Sequence, residues 1–162
     1  MISVATIHNA EDFAGMRKAG QLAAETLDMI AEYVKPGVTT ESLDKRCFEF
    51  ADKNNACIAP LFYKGFPKSV CTSINHVICH GIPSSRVLEE GDIVNIDVTV
   101  IVDGWHGDTS RMYKVGKINN KAQKLIDCTY EAMMLGINEI APNKKTCLLY
   151  TSPSPRDNGR SR

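Results

Sequence analysis

Asp97 and Asp108 stand eleven residues apart, on either side of Asp103-Gly104. In the run from Ile93 to Val102, Val94, Ile96, Val98, Val100 and Val102 alternate with Ile93, Asn95, Asp97, Thr99 and Ile101. This period of two, rich in β-branched residues, predicts a strand. Asp103-Gly104 is a favoured pair for a two-residue hairpin turn. With that turn, Val102 faces Trp105, Thr99 faces Asp108 and Asp97 faces Ser110. Asp97 and Asp108 then form a diagonal pair on one face, with Cα atoms roughly 7–8 Å apart. Two carboxylates so placed repel unless positive charge sits between them. A pair of divalent cations about 3.5–4 Å apart fits, with one carboxylate bridging both. The pattern also fits two solvated acids on the polar face of an exposed hairpin, because Asp is common near turns. Two details weigh against that reading: Asp is depleted in strand interiors, and Asp97 lies mid-strand, six residues before the turn.

Other elements must carry this hairpin. Asn9 and Asp12 form a capping-box-like pair that starts a first helix. Phe13, Met16, Ala19, Ala23, Leu27, Ile30 and Val34 recur on its inward face, and Pro36-Gly37 ends it. Thr39 caps a second helix with Leu43, Cys47, Phe50 and Ala51 inward, closed by Asn54-Asn55. A short strand is expected from Ala56 to Leu61 and a loop over Tyr63-Lys64-Gly65-Phe66-Pro67. A strand from Ser69 to Ile74 is expected to turn at Asn75-His76 and return over Val77 to Cys79. A third helix runs from about Asn120 to Leu135, with Leu125, Cys128 and Ala132 on one side. No internal repeat is visible in these residues.

The bulk numbers narrow the class. A chain of 162 residues holds one domain with a real core. At 43% hydrophobic and 23% charged it has the composition of a soluble globular protein. A formal net charge of zero leaves no basic footprint for nucleic acid. No apolar run approaches the ~20 residues of a membrane span, and Met1 to Thr6 lack the marks of a signal peptide. Six cysteines, Cys47, Cys57, Cys71, Cys79, Cys128 and Cys147, contain no C-x-x-C pair. Reduced, buried thiols of a cytoplasmic protein are expected, not disulfides or structural zinc. Cys71 and Cys79 fall in apolar strands, where packing is their default role. His76 follows a turn and is expected to be exposed. His106 is assigned to the face opposite Asp108 and to a structural role.

From Cys147 the chain changes in kind: Ser, Pro and Arg dominate and periodicity disappears. Cys147 to Asp157 resemble the translated read-through of a common sequencing-library adapter. Residues 147–162 are therefore read as a non-native or disordered tail, outside fold reasoning.

Within the body, Tyr63-Lys64-Gly65-Phe66-Pro67-Lys68-Ser69-Val70-Cys71-Thr72-Ser73-Ile74-Asn75-His76-Val77-Ile78-Cys79-His80-Gly81-Ile82-Pro83 resembles the signature stretch of bacterial type I methionine aminopeptidases. Gly91 to Val98 and Gly107-Asp108-Thr109-Ser110 are similar to that family's first two metal-ligand segments. Met16 to Gly20 and Val34 to Thr40 also resemble it, so the likeness covers roughly residues 3–145. It implies an α/β (α+β) pita-bread aminopeptidase fold, truncated here to its N-terminal half: an antiparallel sheet with flanking helices. Residues 1–146 would be that half of a metallopeptidase catalytic domain. The resemblance implies removal of the initiator methionine from new polypeptides with a small second residue. It also implies two divalent metal ions, of Co, Mn, Fe or Zn, without deciding which. Asp97 would be a terminal metal ligand and Asp108 would bridge both ions. His80 would contact the substrate near the scissile amide and assist the transition state. Tyr63, Phe66 and Cys71 would help line the methionine pocket. A lone histidine before Gly-Ile-Pro is more often a surface residue; its signature context reverses that for His80. The implied partners are N-terminal methionyl peptides and, transiently, the ribosome, for a cytoplasmic protein that is monomeric at full length.

The resemblance calls for five protein ligands, and the other three, one His and two Glu, belong to a second half that this chain lacks. The 162-residue chain is therefore expected to be inactive by itself. Two other readings share the fold. A prolidase or Xaa-Pro aminopeptidase relative usually carries an extra N-terminal domain, and the Cys79-His80-Gly81-Ile82-Pro83 context argues against it. A non-enzymatic pita-bread binding protein tends to lose its metal ligands, whereas Asp97 and Asp108 are both present.

Overall fold

The structure is a computed structural model and describes residues 6–144. The expectation of a non-native or disordered tail at 147–162 lies outside the described residues. Two compact units are distinguished, one up to Lys117 and one from Ile118. In the first, helices α1 (Ala10–Ala31) and α2 (Thr40–Lys53) precede strands β1 (Cys57–Ile58), β2 (Cys71–Ile74), β3 (Ile93–Val102) and β4 (Trp105–Lys114). The second holds α3 (Asn120–Asn138), capped by Asn119, with no buried residue along it.

The start of α1 follows from its side chains. Asn9 accepts hydrogen bonds from the backbone amides of Glu11 and Asp12, and Asp12 accepts one back from the Asn9 amide. That reciprocal pair satisfies donors that a helix N-terminus otherwise leaves unmade. Thr39 caps α2 through the Ser42 amide. Leu43, Cys47 and Ala51 are buried on α2 as expected, with Phe50 partly buried. On α1 the stripe is corrected at its first two members. Ala19, Leu22, Ala23, Leu27 and Ile30 are buried, but Phe13 and Met16 are 48% and 45% exposed. The small residues Gly15 and Ala19 set the face that meets β4, so the bulky pair lies round the helix from the sheet.

β3 is the central strand of a fully antiparallel sheet. β4 pairs with it along its whole length, while β1 and β2 share its other edge. Asp103 and Gly104 both take positive φ, at 51° and 86°, as the expected tight turn requires. Val94, Ile96, Val98, Val100 and Val102 point into the core against the two helices. The opposite face, Asn95, Asp97, Thr99 and Ile101, is half-buried.

Three strand expectations are corrected. The segment from Ala56 to Leu61 is a strand only at Cys57 and Ile58: the Ala59 amide still donates to Thr99, but Pro60 beyond it has no amide to donate. β2 starts at Cys71, not Ser69, because the Ser69 and Val70 amides donate to the Asp44 carboxylate at 2.7 and 3.1 Å. Val77 to Cys79 form no strand: Ile78 is 85% exposed, and the chain rejoins β2 only where the Thr72 amide donates to Gly81. Cys79 is accordingly exposed, not packed in an apolar strand. Cys57 is exposed as well; Cys47 and Cys71 are buried, and the cysteines among the described residues are free thiols. His76 is exposed as expected.

Asp44 is buried, and desolvation pushes its carboxyl above the ordinary value despite the two amides and Lys68, which pull it down. A raised native value favours the protonated fold, so its contribution is largest below the unfolded pKa of about 3.9 and fades as pH rises through the native one. In the full-length protein Asp44→Asn should therefore lose less stability than the wild type as pH rises from that point, followed by thermal melts. Asp44→Ala strands both amides and should cost about 1–3 kcal/mol for each in a denaturant titration.

Candidate functional site

The half-buried face of β3 is the floor of a cleft of about 1020 Å³. Its floor is Asp97, Thr99, Ile101, His106 and Asp108, and its walls include Ala59, Pro60, Tyr63, Phe66, Cys71, His80 and Ile82. The register is the one the turn predicted. Val102 pairs with Trp105, Thr99 with Asp108 and Asp97 with Ser110. Asp97 and Asp108 therefore share a face as diagonal neighbours. All six residues singled out in the sequence, Asp97, Asp108, His80, Tyr63, Phe66 and Cys71, line this one cleft.

Different local devices bring the walls in. β2 pairs with β3 so that Cys71 lies directly beside Asp97. Tyr63 and Phe66 flank a short 3₁₀ turn, Tyr63–Gly65, closed by the Phe66 amide donating to Tyr63. His80 adopts a left-handed backbone, φ 55°, which costs a non-glycine residue energy but is tolerated by His more than by most. Its neighbour fixes it there. Gly81 accepts from the Thr72 amide at 2.7 Å and donates to the Ser73 hydroxyl at 3.2 Å. A Cβ on Gly81 would stand 2.1 Å from the Thr72 carbonyl, so only glycine lets the loop lie this close to β2.

The cleft is electrostatically negative at its floor. Desolvation raises the Asp97 carboxyl above its ordinary value, the nearby Asp108 charge raises it further, and His80 opposes both. Burial, reinforced by Asp97, pushes the Cys71 thiol up to about 11, so it is a neutral apolar group at neutral pH. Thr99 donates its hydroxyl to Asp108 Oδ1 at 3.1 Å.

One assignment is corrected. His106 lies on the same face as Asp108 and lines the cleft, because side chains two apart on a strand point the same way. The alternation that put Asp97 and Asp108 together already contained this. Thr99 was readable in the same way, as the residue paired with Asp108. Ile82, Ala59 and Pro60 carried no signal of their own, since loop and sheet contacts distant in sequence bring them in.

Two carboxylates are hard oxygen donors, suited to Mg, Mn and borderline first-row ions more than to soft ones. Among the described residues no group of three or more His, Cys, Asp or Glu gathers as a metal site. The floor therefore fits a divalent cation by donor type and supplies two side chains toward it.

A family model described as metallopeptidase family M24 matches residues 14–152. A methionine aminopeptidase of Rickettsia prowazekii (strain Madrid E) is 62% identical over 139 residues, 86% of this chain and 54% of that protein. The crystal structure of methionine aminopeptidase from Thermotoga maritima superposes with a TM-score of 0.82 at 30% identity, over 85% of this chain and 55% of that one. An Xaa-Pro dipeptidase from Bacillus anthracis superposes at 0.73 with 22% identity, over 83% of this chain and 36% of that one, a likeness of fold alone. The chain spans about half the length of the curated relatives it matches.

Gly107 sets the distance between the floor and α1. A Cβ there would stand 2.1 Å from the Ala19 carbonyl and 2.7 Å from the Gly20 nitrogen. Gly107→Ala should force helix and strand apart and destabilise the full-length protein by about 1–3 kcal/mol, checked by urea denaturation.

Proposed function

Because the chain belongs to metallopeptidase family M24, we propose that the whole protein is a methionine aminopeptidase that removes the initiator methionine from polypeptides with a small second residue. Peptides are the substrates of such a family and a divalent metal its cofactor; methionine at the N-terminus and a two-metal centre are the finer parts of this proposal. The observation that carries it is the single cleft in which two acids, a histidine and an apolar, sulfur-bearing wall meet.

In this reading Asp97 and Asp108 would hold the divalent metal from the cleft floor. When bound, the divalent cations supply a nucleophile at neutral pH and a Lewis acid for the carbonyl. The remaining donors, one His and two Glu, are assigned to the half of the relatives' length that these residues do not cover. His80 faces the scissile amide from the wall and holds a hydrogen bond there as charge develops. Tyr63, Phe66 and the neutral Cys71 take the methionine side chain, whose flexible thioether packs well against aromatic rings. Confined space beyond the scissile bond favours small second residues. No helix among the described residues is long and apolar enough to cross a membrane. The proposed setting is the cytoplasm, at chains emerging from the ribosome, with the full-length protein a monomer.

The test is release of methionine from Met-Gly-Met-Met by the full-length protein with added Mn(II) or Co(II). Asp108→Ala should abolish release and lower metal content; retained turnover would refute its role. His80→Ala should lower turnover at least 100-fold, the scale of a positioned acid–base group, with metal content unchanged. Loss of metal in that variant would show that His80 is a ligand instead. The 162-residue chain alone should release no methionine with either metal.

A further inference from the structure

Thr99 sits in the middle of β3, directly paired with Asp108 on β4 and two residues from Asp97. Its hydroxyl has one proton to give and two carboxylates within its neighbourhood. It gives it to Asp108 Oδ1, at 3.1 Å. Among the described residues this is the one side-chain hydrogen bond to either acid.

The donor is well fixed. Thr99 is held by its strand pairing on one side, and on the other its carbonyl accepts from the Ala59 amide at 3.0 Å. Its branched Cβ restricts rotation about χ1, so backbone and side chain together leave the hydroxyl little freedom. A carboxylate offers about four lone-pair sites. The Thr99 bond occupies one of them on Oδ1 and leaves Oδ2 and the rest of Oδ1 open toward the cleft.

We infer that Thr99 is a positioning residue for the metal centre: its hydroxyl fixes the rotation of the Asp108 carboxylate so that the open lone pairs point at the cations. This rests on the proposed ligand role of Asp108. Partners of this kind around metal ligands are typically worth 10–100-fold in metal affinity or activity.

The test uses full-length protein and reads metal binding, not turnover. Mn(II) affinity is measured by titration calorimetry, and the visible spectrum of the Co(II)-loaded protein reports ligand geometry. Thr99→Val, which removes the hydroxyl at nearly constant volume, should weaken Mn(II) binding about 10-fold or more and shift the Co(II) bands. Thr99→Ser, which restores the hydroxyl, should bind and absorb like the wild type. If Thr99→Val folds poorly, Thr99→Ala is measured instead with the same expectation. Asp108→Ala serves as the reference. Loss of metal in Asp108→Ala with wild-type binding in Thr99→Val would overturn the role of Thr99 and leave that of Asp108 standing. Wild-type binding in Asp108→Ala would overturn the ligand reading itself. A Thr99→Ser variant as weak as Thr99→Val would show that the methyl group, not the hydroxyl, matters, and would overturn the inference.

Discussion

The alternation of β3 ties the core and the cleft to a single register. A strand presents successive side chains to opposite faces, and here the two faces have opposite duties. Val94, Ile96, Val98, Val100 and Val102 are buried in the core. Asp97, Thr99 and Ile101 are thereby committed to the cleft, and Asn95 to the same face. A slip of one residue would place Asp97 in the core and the valines on the cleft floor, so apolar burial specifies the acid positions as strictly as it specifies the fold. The Asp103-Gly104 turn transmits the same register to β4, and Asp108 follows.

Holding two acids on one half-buried face costs energy: desolvation first, and the Asp108 charge second, raise the Asp97 carboxyl. Rigid surroundings sustain it. Gly107 brings β4 against the backbone of α1 at Ala19. The Tyr113 hydroxyl donates to the Leu27 carbonyl at 2.6 Å, and the Arg111 guanidinium meets Asp28 at 2.6 Å. These contacts run down the helix-facing side of β4, so the acid-bearing side has a fixed backing. Such preorganisation is what a metal site needs from its scaffold.

Most of this site was legible in the sequence because it is local. The hairpin, its register and the shared face of Asp97 and Asp108 follow from a period of two and one Asp-Gly pair. The caps at Asn9 and Thr39 follow equally from residue type. What could not be read depends on distant partners. Asp44 claims the Ser69 and Val70 amides and so shortens β2; nothing near Ser69 signals that. The left-handed His80 is held by Thr72 through Gly81, and an apolar-looking Val77-Ile78 lies in an exposed loop. Phe13 and Met16 fit a helical stripe but not the sheet, whose reach along α1 is set by tertiary packing. His106 is different, because the local rule that paired the acids places it in the cleft, and applying that rule to it was sufficient. The signature around His80 and the two acid segments carried the likeness to methionine aminopeptidases, and the match to metallopeptidase family M24 over residues 14–152 agrees with it.

In the proposed reading, one face of a β-hairpin aims two carboxylates at a common divalent centre. Anomalous diffraction from crystals of the full-length protein grown with Mn(II) is the decisive measurement. Metal peaks are expected above the β3–β4 floor within about 2.0–2.2 Å of oxygens from both Asp97 and Asp108. Metal bound elsewhere, or bound to one of these acids with the other turned to solvent, would contradict it.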